Sequence, residues 1–246
     1  MTYDVVERPP MNVPAPGETH VWSAVLSAPA SALAYCAGLL SPDEAARAAR
    51  FYFAADRERF TLARGLLRLL LGTYLGADPR PITFSYSTAG KPSIEQPFAG
   101  LPLRFNLAHS GGRAVYALAR GPAVGIDIER LRDGVDCDDL ARRFFAPGED
   151  EALARLPARP RRRAFFETWT RKEALLKATG GGIAAGLDRL AIGRGPGPRL
   201  VIERCALPGV DPLAWSLVDL SIARGFVAAL AVESPAVKVV RRSWRW

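Results

Sequence analysis

The sequence predicts an α+β fold made of two similar halves, and three observations predict it. Each half runs as a strand, then helices, then further strands. Each half carries one long stretch of helical period, at residues 57–75 and 161–179. A seam falls near Gly121–Val124, dividing the 246 residues into 1–122 and 123–246, each close to the ~120 residues of an ordinary domain. The halves share no obvious residue identity, so the repeat lies in the order of elements.

Residues 1–18 are proline-rich without period and read as an irregular arm. Thr19–Leu26 alternates as a strand, with Val21, Ser23 and Val25 on one side. Ser41-Pro42-Asp43-Glu44 starts a helix, with Ser41 as N-cap, Pro42 in the first turn and Glu44 completing a capping box. Phe60, Leu62, Leu66, Leu67, Leu70 and Leu71 then recur at helical spacing. Ile82–Tyr86 reads as a strand and Thr88–Pro92 as a turn. Leu103–Leu107 and Ala114–Leu118 read as strands joined through His109-Ser110-Gly111-Gly112, and Val124–Glu129 as another strand. Helices follow at Asp138–Phe145, Glu149–Leu156 and Arg161–Thr179, the last stopped by three glycines. Leu190–Ile192, Arg199–Arg204, Trp215–Leu220 and Phe226–Val232 complete the pattern as strands.

With 49% hydrophobic and 24% charged residues, the chain belongs among folded soluble proteins. Cys36, Cys137 and Cys205 lack the spacing of a disulfide framework or a zinc site. The N-terminus lacks the order of a signal peptide, and no apolar run approaches the ~18 residues of a membrane span, so a cytoplasmic protein is expected. A formal charge of +8 favours acidic partners: nucleic acid, phosphorylated small molecules or an acidic protein.

Chemistry concentrates in four stretches. In Gly125-Ile126-Asp127-Ile128-Glu129, strand alternation puts both carboxylates on one face, about 6.6 Å apart along the strand. Two such charges repel unless a cation lies between them, and a hard divalent ion prefers oxygen ligands. A solvated polar edge paired with Arg130 and Arg132 is the alternative. On the later helix, Trp169, Glu173 and Lys177 stand in a row at i, i+4, i+8. Glu173 would sit at a core boundary as a third ligand with Lys177 against a phosphate, or the two form an ordinary surface pair. Phe105–Gly112 offers His109 beside a glycine turn able to meet phosphate, or simply a hairpin. Gly90-Lys91-Pro92 is likewise a solvated turn or a phosphate contact. No Walker loop, dinucleotide fingerprint or HExxH is present.

Taken in order, these stretches resemble the 4′-phosphopantetheinyl transferase superfamily, in particular its surfactin-type, two-half group. Its pattern of a GKP turn, an FNxSHS segment, a GIDIE strand, an FF…E segment and a WxxKExxxK helix is met by five stretches. They are Gly90–Pro92, Phe105–Gly111, Gly125–Glu129, Phe144-Phe145-Ala146-Pro147-Gly148-Glu149 and Trp169–Lys177. With Ser41-Pro42 and Arg50-Phe51-Tyr52 upstream, the match spans residues 40–185. Ala108 departs from the pattern, which has serine there, and removes one side-chain hydrogen bond to the ligand.

The resemblance implies two halves related by a pseudo-twofold axis, with coenzyme A bound as substrate in the cleft between them. It implies an enzyme that transfers phosphopantetheine to a serine of an acyl or peptidyl carrier protein and releases adenosine 3′,5′-bisphosphate. Asp127, Glu129 and Glu173 would hold magnesium, with manganese as a substitute. Arg47, Gly90, Lys91, Pro92, Ala108, His109, Ser110, Gly111, Asp127 and Lys177 would line the coenzyme A site. Catalytic roles would fall on Lys177 and on Glu173, Glu149 or a metal-bound water as proton acceptor. A hydrolase of coenzyme A or nucleotide diphosphates, which would need the same carboxylates but no protein acceptor, is one alternative, and a noncatalytic coenzyme-A-binding module is another. The expected partner is an acidic carrier, with no nucleic acid and no membrane, acting on a monomer. Arg142, Arg143 and the Arg159–Arg163 cluster would form the docking face.

Overall fold

Two 22-residue helices organise the structure, one in each half. In the computed structural model, which describes residues 13–95, 98, 102–182, 186–197 and 199–246, these are α3 (Ala54–Leu75) and α6 (Ala158–Thr179). Both end at a glycine in the left-handed region, Gly76 and Gly180, where a side chain would be strained. Of the proline-rich arm, residues 1–12 lie outside the described residues.

The first half runs β1 (Glu18–Val25), α1 (Ala30–Ala37), α2 (Pro42–Ala49), α3, β2 (Phe84–Tyr86), β3 (Pro92–Ile94), β4 (Leu103–Ser110) and β5 (Arg113–Arg120). The second runs β6 (Val124–Arg130), α4 (Cys137–Phe144), α5 (Glu149–Ala154), α6, β7 (Leu190–Arg194), β8 (Leu200–Cys205), β9 (Ser216–Leu220) and β10 (Phe226–Val232). The two series match element for element. Their main sheets also match, ordered β1-β5-β4 and β6-β10-β9 with every pairing in these orders antiparallel.

Three elements stand outside the sequence reading. Helix α1 is a short alanine-rich piece, and Pro92 opens strand β3 rather than closing a turn. A final strand, β11 (Lys238–Ser243), pairs parallel with β1, so the end of the chain returns to the first half's sheet. The turn after β4 is also shorter than expected. His109 and Ser110 belong to the strand, and Gly111-Gly112 alone make the connection.

Strand alternation sorts the core into layers. On the first sheet Trp22, Phe105, Tyr116 and Leu118 face α3, while Val21, Ala108, Val115 and Ala117 face the other way. There they meet Val124, Ile126, Ile128 and Leu230 of the second sheet. Ala229, Ala231 and Leu217 on the far side of that sheet pack against α6. The order is therefore helix, sheet, sheet, helix.

Among the described residues strand β6 has β10 on one side only, and an open edge leaves backbone groups in want of partners. First-half side chains supply them. Lys91 Nζ donates to Val124 O (3.1 Å), Asn106 Oδ1 accepts from Ile126 N (2.9 Å), and Ser110 Oγ accepts from Arg130 N (3.2 Å). The halves are thus stitched by side chains where a continuous sheet would use backbone.

Candidate active site

The site begins at Gly125. A Cβ there would lie 2.0 Å from Ala174 O and 2.4 Å from Ala178 N, so only glycine lets the backbone of α6 rest on β6. That contact brings Glu173 and Lys177 against the face of β6 that carries Asp127. Lys177 Nζ donates to Asp127 Oδ1 at 2.6 Å. Trp169, one turn earlier, is packed among Phe144, Phe145 and Phe165 and fixes the rotation of the helix.

Asp127 and Glu173 are buried at 5% and 4% exposure, and Asp127 Oδ2 and Glu173 Oε1 have no hydrogen-bond partner among the described residues. Burial pushes the Asp127 carboxyl up to about 6, Lys177 opposing and Glu129 adding to the rise. Burial, then the charge of Asp127, pushes Glu173 up to about 7, again with Lys177 opposing and Glu129 adding. Glu129, the third carboxylate, accepts a hydrogen bond from Ser110 Oγ at 2.7 Å. Neither alternative drawn from the sequence describes this arrangement: Lys177 reaches across to Asp127, and Glu173 is inside the protein.

His109, on β4, keeps part of its side chain exposed while the rest is enclosed, and Arg47 stands in the last turn of α2 with its guanidinium 5.4 Å from the Phe60 ring. Removal from water, followed by the positive charges of Lys177 and Arg47, holds the His109 imidazole below its usual value. Arg47, His109 and Lys177, from three different elements, therefore converge near the carboxylates. Lys91 lies at the other end of the α6–β6 contact, where its Nζ also donates to Ala178 O (2.8 Å). Burial, with Arg104 adding, lowers its pKa to about 8. Lys91 and Pro92 line a cavity of about 330 Å³ closed by Phe105, Val124, Ala178 and Gly180, and Gly90 forms the turn just before them.

Other expected residues have different surroundings. The Ala108 methyl is buried in the layer between the sheets, and the residue pairs with Val115 in the β4–β5 ladder. Ser110 is engaged with Glu129 and Arg130, and Gly111 packs on the Arg130 side chain. Glu149 Oε2 accepts from Ala146 N (2.8 Å) and from Lys172 Nζ, which is fully buried. Most of the arginines expected to dock a partner are already paired. Arg142 and Arg143 meet Asp139 (3.6 and 3.7 Å), Arg161 meets Asp138 (2.8 Å), Arg162 meets Asp133, and Arg163 meets Glu167 (2.8 Å).

Two features escaped sequence reasoning. Asn106 bonds the second half, although its motif position gave no hint of that. Glu44, beyond capping α2, receives the guanidinium of Arg64 and that of Arg68 (2.6 Å), both buried on α3. Arginines at i and i+4 on the leucine face of a helix are the signal that marks such a network.

Among the described residues no three acidic, histidine or cysteine side chains form a ready metal cage. The donor set nevertheless suits a hard cation. Three carboxylates raise or feel one another's charge, two buried oxygens lack partners, and the Lys177 ammonium stands as the present counter-charge.

Fold and site together define a two-half α+β protein with an acid-and-lysine centre at a strand–helix contact. The model of the 4′-phosphopantetheinyl transferase superfamily matches residues 123–231, and that of the 4′-phosphopantetheinyl transferase N-terminal region matches 26–120. The chain is 43% identical over 225 residues to the 4′-phosphopantetheinyl transferase HetI of Nostoc sp., covering 92% of each protein. It is 30% identical over 154 residues to Sfp of Bacillus subtilis, covering 62% of this chain and 66% of that one. To AcpT of Salmonella typhi it is 39% identical over 116 residues, covering 46% and 56%. The chain belongs to the 4′-phosphopantetheinyl transferase superfamily.

Proposed function

We propose that this chain transfers the 4′-phosphopantetheine group of coenzyme A to a serine of an acyl or peptidyl carrier protein. The observation that carries the mechanism is the pair of orphaned oxygens, Asp127 Oδ2 and Glu173 Oε1, buried beside Lys177. Asp127, Glu129 and Glu173 would hold magnesium, which when bound neutralises pyrophosphate oxygens. Manganese, with the same preference for oxygen, is the natural substitute.

Coenzyme A lies between halves 1–122 and 123–246, which are related by a pseudo-twofold axis. The cavity beside Gly90, Lys91 and Pro92 receives the nucleotide, with His109, Arg47 and Lys177 toward its phosphates. The serine hydroxyl attacks the β-phosphate, and adenosine 3′,5′-bisphosphate leaves with its growing charge met by Lys177. Glu173 takes the serine proton, since Glu149, the other candidate, is tied to Lys172. Both halves supply residues, so one chain suffices as a cytoplasmic monomer. Among the described residues no helix is long and apolar enough to cross a membrane.

The test is the mass of an apo-carrier incubated with the chain, coenzyme A and magnesium. A gain of one phosphopantetheine group is expected, and replacing Asp127 or Glu173 by alanine abolishes it. Free phosphopantetheine with an unmodified carrier would instead mean hydrolysis.

A further inference from the structure

At the end of the two sheets lies a second concavity, of about 520 Å³, outside the coenzyme A site. Its walls come from equivalent turns of the two halves. Gly111 and Gly112 between β4 and β5 face Arg224 and Gly225 before β10, and Arg130 at the end of β6 lies between them. Arg113 completes the rim, its guanidinium 5.5 Å from the Phe226 ring. The walls are braced by Leu26 N to Gly112 O and Leu131 N to Gly225 O, each 2.8 Å.

Arg113, Arg130 and Arg224 make no ion pair with any described residue, unlike most of the arginines of α4 and α6. Three uncompensated guanidiniums around one hollow create a strong field for carboxylates. Between them lie apolar surfaces, Val25 (44% exposed) and Phe226. The hollow is wide and open, a form that suits a protein segment with acidic and apolar side chains. It also begins one residue beyond Glu129, and Ser110 touches both Glu129 and Arg130.

We propose that this arginine-rimmed hollow docks the acidic segment that flanks the acceptor serine of the carrier protein. The inference rests on the functional reading above and shifts the docking face away from α4 and α6. The arginines there have part of their charge offset by Asp133, Asp138, Asp139 and Glu167, whereas these three keep theirs for a partner.

The experiment measures transfer to a purified apo acyl carrier protein by mass, varying carrier and coenzyme A separately. Arg224→Glu and Arg113→Glu should raise the KM for carrier by about 10-fold or more, and the KM for coenzyme A should stay within about twofold. Arg163→Ala, in the α6 cluster, serves as the comparison and should leave the carrier KM near that of the parent chain. Rate against ionic strength should be flatter for Arg224→Glu, because part of the steering charge is gone. Unchanged carrier KM in both charge reversals, or equal losses for carrier and coenzyme A, would overturn the docking assignment alone. If the parent chain modified none of a panel of apo-carriers, the functional reading would fall and this one with it.

Discussion

At the scale of single residues, the site is a buried concentration of negative charge held against one lysine. Asp127 and Glu173 are inside the protein with oxygens that lack partners among the described residues, and each carboxylate raises the free energy of its neighbour. Glu173→Gln removes a charge and keeps the shape, so the metal-free protein should gain stability, on the order of 1–3 kcal/mol. Chemical denaturation in the presence of a chelator measures this, and a loss of stability would contradict it. Lys91 gives a pH dependence of defined sign. Its folded pKa of about 8 lies below the ordinary 10.5, so burying the ammonium is unfavourable in full below pH 8. Between the two values the unfolded chain binds more protons, and stability from this group rises with pH. Lys91→Met should flatten that rise between about pH 8 and 10, and an unchanged slope would assign it elsewhere. The carboxylates themselves were legible, because period two puts Asp127 and Glu129 on one face and i, i+4 aligns Glu173 with Lys177. That Lys177 would bond Asp127 was not legible, since no local pattern encodes a contact 50 positions away.

At the scale of elements, the decisive contact is helix α6 lying on strand β6. Gly125→Ala forces its methyl into the helix backbone, and overpacking of that kind costs about 1–3 kcal/mol or more. The same displacement separates Lys177 from Asp127. Thermal unfolding should therefore fall together with transfer activity, and a variant of parental stability would refute the packing argument. Long helices could be read because capping residues, glycine stops and apolar period agree. Helix α1 lacked a start signal, with Pro29 in the cap position and no side-chain cap. Strand β11 was missed because KVVRRS is exposed on much of its length and carries no strong alternation. The placement of His109 and Ser110 within β4 followed from a two-residue turn that the run of small and polar residues disguised.

At the scale of the whole molecule, two topologically matched halves meet face to face and are sewn at the β4–β6 edge. Asn106→Leu leaves Ile126 N unpaired and should cost about 1–3 kcal/mol, weakening the junction that carries Asp127. Truncation after Pro235 removes β11 and bares one edge of β1, so amide exchange along β1 should quicken while α6 stays protected. The repeated order of elements was readable as strand, helices, strands. The strand order within each sheet and the return of the last strand were not, because both depend on pairings distant in sequence. The most direct test of the central claim is the transfer rate to an apo-carrier over a magnesium titration, for the parent chain and for Asp127→Asn. The parent rate should rise with magnesium and saturate, while the variant falls on the order of 100-fold or more at every concentration. A variant that kept the parent rate, or a parent indifferent to magnesium under chelation, would contradict the assignment of Asp127, Glu129 and Glu173 as the metal-holding centre.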